Sequence, residues 1–225
     1  AARHSSGTLH YKQLYNNTFG YTETRKKVAA GATASVIAAT TGSLTVDTTV
    51  TTGITQPDVP RALKLTITTA TTSPGTVVVT GKNVEGKVIT QNFVVAQDTT
   101  GDINGTKAFE SVDSMFIPKN MGTTTTYALG TLNLLGINHR LFTSNTTVKV
   151  YSATTVYGDL TLQGAPTVVT NGANVELNTV SPATTPDAST FYVIAYAYEN
   201  WSDGSSVNDE PEYSTTTSTS STSSS

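Results

Sequence analysis

The sequence predicts an all-β fold, a β-sandwich or barrel-like closure, and three observations carry the prediction. Thr, Val and Ser are abundant while charged residues make up only 13% of the chain, so the Glu and Lys that favour helix surfaces are scarce. Short apolar runs alternate with polar residues at a period of two. Turn residues break these runs throughout, and beyond residue 40 no segment carries an apolar stripe at helical spacing. With 225 residues the chain can bury a core without disulfides or metals, as one large β domain or two small ones.

Residues 1–30 differ from the rest and are predicted to form an extended arm that docks on a partner. Tyr11, Tyr15, Phe19 and Tyr21 are followed by the basic cluster Arg25, Lys26 and Lys27, and these seven residues are the candidate interface. The spacing of Tyr11, Tyr15 and Phe19 suits a helix, but Asn16, Asn17 and Gly20 weaken it. An aromatic strand belonging to the core is the competing reading. The opening Ala1-Ala2-Arg3-His4 has no signal-peptide apolar region, and the missing initiator Met predicts a processed N-terminus.

The β domain is predicted over 31–199, with a subdivision near 118–124 as the alternative to a single unit. Leu44, Val46 and Val50 fall in one Thr-rich strand. Leu63, Leu65 and Ile67 alternate with Lys64, Thr66 and Thr68, a half-buried strand. Val77-Val78-Val79 and Val88-Ile89 flank the polar, Gly-bearing stretch 81–86, which reads as a hairpin. Phe93-Val94-Val95 continues its second strand. Phe109, Val112, Met115 and Phe116-Ile117 make a bent strand that Pro118 stops. Further strands are expected over 127–135, 146–151, 160–162, 167–170, 174–179 and 191–198, with Asn171-Gly172 as a tight hairpin turn. The run 191–198 is apolar on both faces, so it belongs in the middle of a sheet. Residues 200–225 turn acidic and then become Ser/Thr repeats with nothing to bury, a polar tail expected to be disordered in water.

Composition and motifs exclude most chemistry. Net charge is −3, where nucleic-acid binding needs a basic stripe. No cysteine is present, so thiolate metal sites and cysteine nucleophiles are ruled out. No apolar run reaches the roughly 18 residues of a membrane-spanning helix. Gly81 to Lys87 matches seven positions of a P-loop, but Val88 stands where Ser or Thr must hold magnesium. Asp102-Ile103-Asn104-Gly105 matches part of a calcium loop, yet the twelfth position falls on Ser111, and an Asx or Gly turn is expected instead. His4, His10 and His139 are scattered, no Gly-x-Ser-x-Gly elbow occurs, and His139 beside Arg140 reads as a loop hydrogen bond. Asp203, Asp209, Glu210 and Glu212 form the one acidic cluster, on the tail, where it reads as solvated surface. Trp201 reads as an anchor between tail and domain. The expectation is a protein with no catalytic residues, cofactor or metal.

Two stretches add a resemblance. Pro60-Arg61-Ala62-Leu63-Lys64-Leu65-Thr66-Ile67-Thr68-Thr69, followed by the segment 75–90, is similar to a "PRxLxVTxT … GTVTVTGxDxxGxxITE" pattern of tailed-bacteriophage virion proteins. Leu135-Gly136-Ile137-Asn138-His139-Arg140-Leu141 resembles the "GLGDxLGLPxxL" segment that follows it there, with Asn138 in place of the Pro and Leu132-Asn133 in place of Gly-Asp. The resemblance covers about half the chain and implies a structural protein of the capsid decoration or cement type, on the outer surface of a phage particle. Its partners would be the major capsid protein or neighbouring virion subunits, in a homo-oligomer such as a trimer, without nucleic acid or membrane. Neck, tail or fibre components share the pattern. A carbohydrate- or host-surface-binding β-module is the alternative from the residues alone, with Trp201 and the group Tyr192, Tyr196, Tyr198 as its aromatic candidates.

Overall fold

The computed structural model describes residues 9–15, 18–22, 26–141, 148–155 and 159–199. Their architecture is all-β, and every strand pair is antiparallel. In chain order the strands are β1 (Leu9–Tyr15), β2 (Thr18–Thr22), β3 (Lys26–Lys27), β4 (Ile37–Thr41), β5 (Thr48–Val50), β6 (Arg61–Ile67), β7 (Gly75–Lys82), β8 (Val88–Val95), β9 (Gly101–Phe109) and β10 (Ser111–Ile117). They continue as β11 (Thr126–Gly136), β12 (Val148–Ala153), β13 (Thr161–Leu162), β14 (Thr167–Val169), β15 (Thr179–Ser181) and β16 (Phe191–Glu199). A single 3-10 turn, Val175–Leu177, is the one helical element among the described residues.

Three curled sheets result, in a half-barrel arrangement. One runs β5-β10-β7-β8. A second runs β14-β15-β11-β6-β9, with β4 also paired to β11. The third runs β1-β2-β16-β12-β13, with β3 also paired to β16. The first two sheets pack as a sandwich, because their strands alternate as the sequence requires. Val77, Val79, Phe93, Val95, Met115 and Ile117 from one face Leu63, Leu65, Ile67, Tyr127 and Leu129 from the other in one buried cluster. Burial of each large aliphatic side chain there contributes about 1.5–3 kcal/mol.

A second cluster lies between β16, β12 and the end of β11. It contains Val28, Leu135, Ile137, Leu141, Val150, Val180, Tyr192, Ile194 and Tyr196. The change from one cluster to the other falls along β11, between Leu129 and Leu135. From the segment 118–124, Met121 is buried in the first cluster.

Several strand expectations hold. β6 alternates as predicted, β7 and β8 form the hairpin in register Lys82↔Val88, and β10 carries a bulge before ending at Ile117. β16 sits centrally, between β2 and β12. Others need correction. Leu44 and Val46 are exposed and outside any strand, because the Ser43 hydroxyl accepts the N–H groups of Thr45 and Val46 and turns the chain. Asp102 to Gly105 is no turn but the start of β9, paired to β6 in register Lys64↔Asn104. Asn171-Gly172 is no two-residue hairpin turn, and 174–179 is no strand: Val169 pairs with Thr179 across a connection that contains the 3-10 turn. The helical spacing of the N-terminal aromatics falls on strands β1 and β2.

Asp102 also supplies an acid-limb prediction. Lys64 Nζ donates to Oδ2 at 2.7 Å and the Thr66 hydroxyl to Oδ1, and these bonds hold the carboxyl below its ordinary value. A depressed folded-state pKa stabilises at neutral pH, and that contribution disappears as pH falls through the folded value. Asp102→Asn should therefore lower stability near neutral pH by under about 1 kcal/mol, since the pair is solvent-screened. Urea midpoints of variant and parent should converge in strong acid.

Candidate functional site

The most elaborate polar construction lies where the two clusters meet. It begins with Arg61, 1% exposed at the first position of β6. Its Nε donates to the Leu132 carbonyl at 2.8 Å, and Nη1 donates to the Ala29 carbonyl at 3.0 Å. Nη1 also pairs with Asp58 Oδ1 at 2.8 Å, while Asp58 Oδ2 accepts the Ala29 N–H at 2.7 Å. Asn133 Oδ1 accepts the Gly31 N–H at 2.6 Å and lies 3.5 Å from Nη2. A planar fork of fixed donors suits this task, since three chain segments are held by one side chain.

The tip of the β7–β8 hairpin forms the next part. Asn83 is buried, and its Oδ1 accepts the N–H groups of Glu85 and Lys87, both at 3.0 Å. Gly86 completes the turn at φ +75, a region that side chains with a Cβ avoid. The other end of Asn83 donates from Nδ2 to the buried Glu176 at 3.2 Å, 93 residues away. Beside it, Arg140 pairs with Glu85 at 3.2 Å. The hairpin tip is thus fastened to the second half at two points. Gly81, just before it, has its Cα against the Ser111 carbonyl and Phe109, so a side chain there would collide. The P-loop-like run is therefore a strand-to-strand turn whose glycines serve the backbone.

Asn178, fully buried, closes the joint. Its Oδ1 accepts the N–H of Leu141 at 3.1 Å and of Asn171 at 2.6 Å. Its Nδ2 donates to the carbonyls of Asn171 and Asn174 at 2.8 and 2.9 Å.

Beside these parts, next to Pro60 and Val84, lies a cleft of about 340 Å³. Val28, Pro60, Val84, Leu135, Tyr192 and Ile194 are among the residues that line it. Glu110 and Asn138 supply its polar groups. Burial pushes the Tyr192 hydroxyl up, and it donates to the Thr184 carbonyl at 3.4 Å. The volume suits an apolar side chain or a small ligand. Among the described residues no group of three or more His, Asp or Glu stands close enough to hold a metal ion. His139 Nδ1 lies 2.7 Å from the Tyr196 hydroxyl, a loop hydrogen bond of the kind expected.

Six of the seven candidate interface residues are spread over one sheet. Tyr11 and Tyr15 are on β1, Phe19 and Tyr21 on β2, Lys26 and Lys27 on β3, and Arg25 lies outside the described residues. In register Tyr21 stands opposite Tyr196, and Phe19 opposite Tyr198. Tyr11 stands opposite Gly20, one step out of phase with the Tyr21 row. Lys26 stands opposite Tyr192 and Lys27 opposite Phe191, with the Lys27 ammonium 5.3 Å from the Phe191 ring centroid. Arg25 aside, backbone pairing brings these residues to β16, directly through β2 and β3 or by way of β1. The tail acids and Trp201 also lie outside the described residues. The joint itself went unread in the sequence. The only local hint was the Asp58/Arg61 pair at a spacing of three beside Pro60.

Compared with protein-family models, curated proteins and solved structures, the chain matches none.

Proposed function

We propose that this chain is a non-enzymatic structural protein of a phage virion, decorating or stabilising the head by protein–protein contact. The observation that carries the reading is where its phage-like segments lie. Pro60 to Ile67, the hairpin 75–90 and the stretch 135–141 are three separate pieces of chain, and they meet at the joint: Gly136 donates its N–H to the Pro60 carbonyl at 2.7 Å, Leu135 pairs with Arg61, and Arg140 reaches Glu85 at the hairpin tip. Their signature residues thus do folding work, which is what a pattern defining a scaffold requires.

The outer face of the β5-β10-β7-β8 sheet supports contact by shape. Across it run Phe116, Val78 and Asn92 in one row and Ser114, Thr80 and Thr90 in the next. Val94 and Val88 on the edge strand β8 are 75% and 60% exposed. A face of hydroxyls and small apolar groups with little charge suits contacts repeated by symmetry, where many weak interfaces add.

The test is mass spectrometry and cryo-electron microscopy of purified virions from the source of this sequence. The expected result is this chain in a symmetric array on the outer shell, displaced when the charges of Arg25, Lys26 and Lys27 are reversed. Density confined to neck or tail would move the assignment there. Absence from particles would overturn the virion reading, and glycan-array binding by the purified protein would then favour a host-surface module.

A further inference from the structure

We propose that Asn171 is a self-modification site, converted by its own chain to an aspartyl or isoaspartyl residue, while Asn104 is protected. Both are followed by glycine, Gly172 and Gly105, so each has a backbone nitrogen unshielded by a side chain as its neighbour. Their surroundings differ in the backbone that the reaction must use.

In the β14–β15 connection, Asn171 Oδ1 accepts two backbone N–H bonds, from Ala173 and Asn174, both at 2.9 Å. These donors stand where negative charge develops when the side-chain carbonyl is attacked, the arrangement that stabilises an oxyanion. No bond from Asn171 Nδ2 and none from the Gly172 N–H is present among the described residues. The nucleophile and the leaving group are therefore both free, and both residues keep contact with water.

The step balances within the chain. The Gly172 nitrogen gives its proton to water or hydroxide and bonds to Cγ of Asn171. The bond from Cγ to Nδ2 breaks, and Nδ2 leaves as ammonia after taking a proton from solvent. Water then opens the succinimide at either carbonyl. Opening at one side restores the chain with a carboxylate; opening at the other adds a methylene to the backbone. The second route turns the carbonyl that Asn178 grips into a side-chain carboxylate. It thereby loosens the anchor that Asn178 provides for Leu141.

Asn104 is held in β9, paired to Lys64 of β6. The next residue, Gly105, is buried with its Cα facing the Leu63 carbonyl and the Gln91 side chain. Cyclisation there requires the strand to open first.

The test incubates the native full-length protein at mildly alkaline pH. Peptide mapping by mass spectrometry follows the replacement of NH2 by OH, and an isoaspartyl-specific methyltransferase assay follows the rearranged product. Conversion at 171 should exceed that at 104 by on the order of a hundredfold. In urea the two rates should converge, and Gly172→Ala should slow the native reaction at 171 by on the order of tenfold. No conversion at 171, or equal native rates at the two sites, would overturn the proposal, and neither readout depends on a variant folding.

Discussion

Arg61→Met should cost about 3–5 kcal/mol of stability, because the side chain removed is fully buried and hydrogen-bonded. Methionine fills much of the same volume, so the penalty comes from the partners left behind. The carbonyls of Leu132 and Ala29 lose their donors, and the Asp58 carboxylate loses its cation. Asp58 keeps the N–H groups of Ala29 and Val59, which satisfy its oxygens in part but leave its charge uncompensated. Arg61→Lys should recover only part of the loss, because one ammonium cannot span acceptors arranged around a planar fork. Asp58→Asn should be milder, since an amide oxygen still accepts a bond. In the double variant Arg61→Met/Asp58→Asn the losses should be less than additive, the signature of a shared interaction. Equilibrium urea unfolding of the four proteins decides it. A loss below about 1 kcal/mol for Arg61→Met would show that packing around the stem, and not the fork, holds the three segments together.

The parts of this fold legible in the sequence are those whose causes are local. Leu63, Leu65 and Ile67 announce a strand because side-chain period alone decides which face is buried. The two-sided apolar run 191–198 announces a central strand for the same reason. β9 stayed hidden because Gly101, Asp102, Asn104 and Gly105 are poor strand formers. Pairing with β6 and the bond from Lys64 to Asp102 override that preference, and Gly105 is required where the Leu63 carbonyl comes close. The Asn171-Gly172 turn does not follow its dipeptide because its shape is set by Asn178, seven residues on, through bonds to the N–H and carbonyl of Asn171 and to the carbonyl of Asn174. The joint was the least legible feature. Asn83 and Glu176 are polar residues of the kind ordinarily found at surfaces, and only a contact across 93 residues explains their burial. The hairpin motif is legible from its own residues, but the second task of its Asn depends on Glu176, 93 residues away.

That second task makes Asn83→Asp the sharpest test of the joint. The phage-like pattern carries Asp at this position, and aspartate would still accept the N–H groups of Glu85 and Lys87 from one oxygen. What it cannot do is donate to Glu176. The substitution sets a second carboxylate 3.2 Å from a buried one and removes the only donor between them. A loss of about 2–4 kcal/mol at neutral pH is expected, the range for a buried polar group left unsatisfied beside a like charge. The pH dependence fixes the cause. Two carboxylates this close cannot both ionise out of water, so the folded variant takes up a proton that the unfolded chain lacks at neutral pH. Where the folded state binds more protons, stability rises as pH falls, so the deficit should shrink towards the ordinary carboxylate range. That is opposite in sign to the acid limb expected from Asp102. A swap supplies the decisive control: Asn83→Asp with Glu176→Gln reverses donor and acceptor while keeping their number, and should regain most of the lost stability and flatten the pH response. If the double variant is no better than Asn83→Asp alone, the hydrogen bond between the two halves is incidental, and the Glu85–Arg140 pair with the apolar packing around Val84 carries the joint.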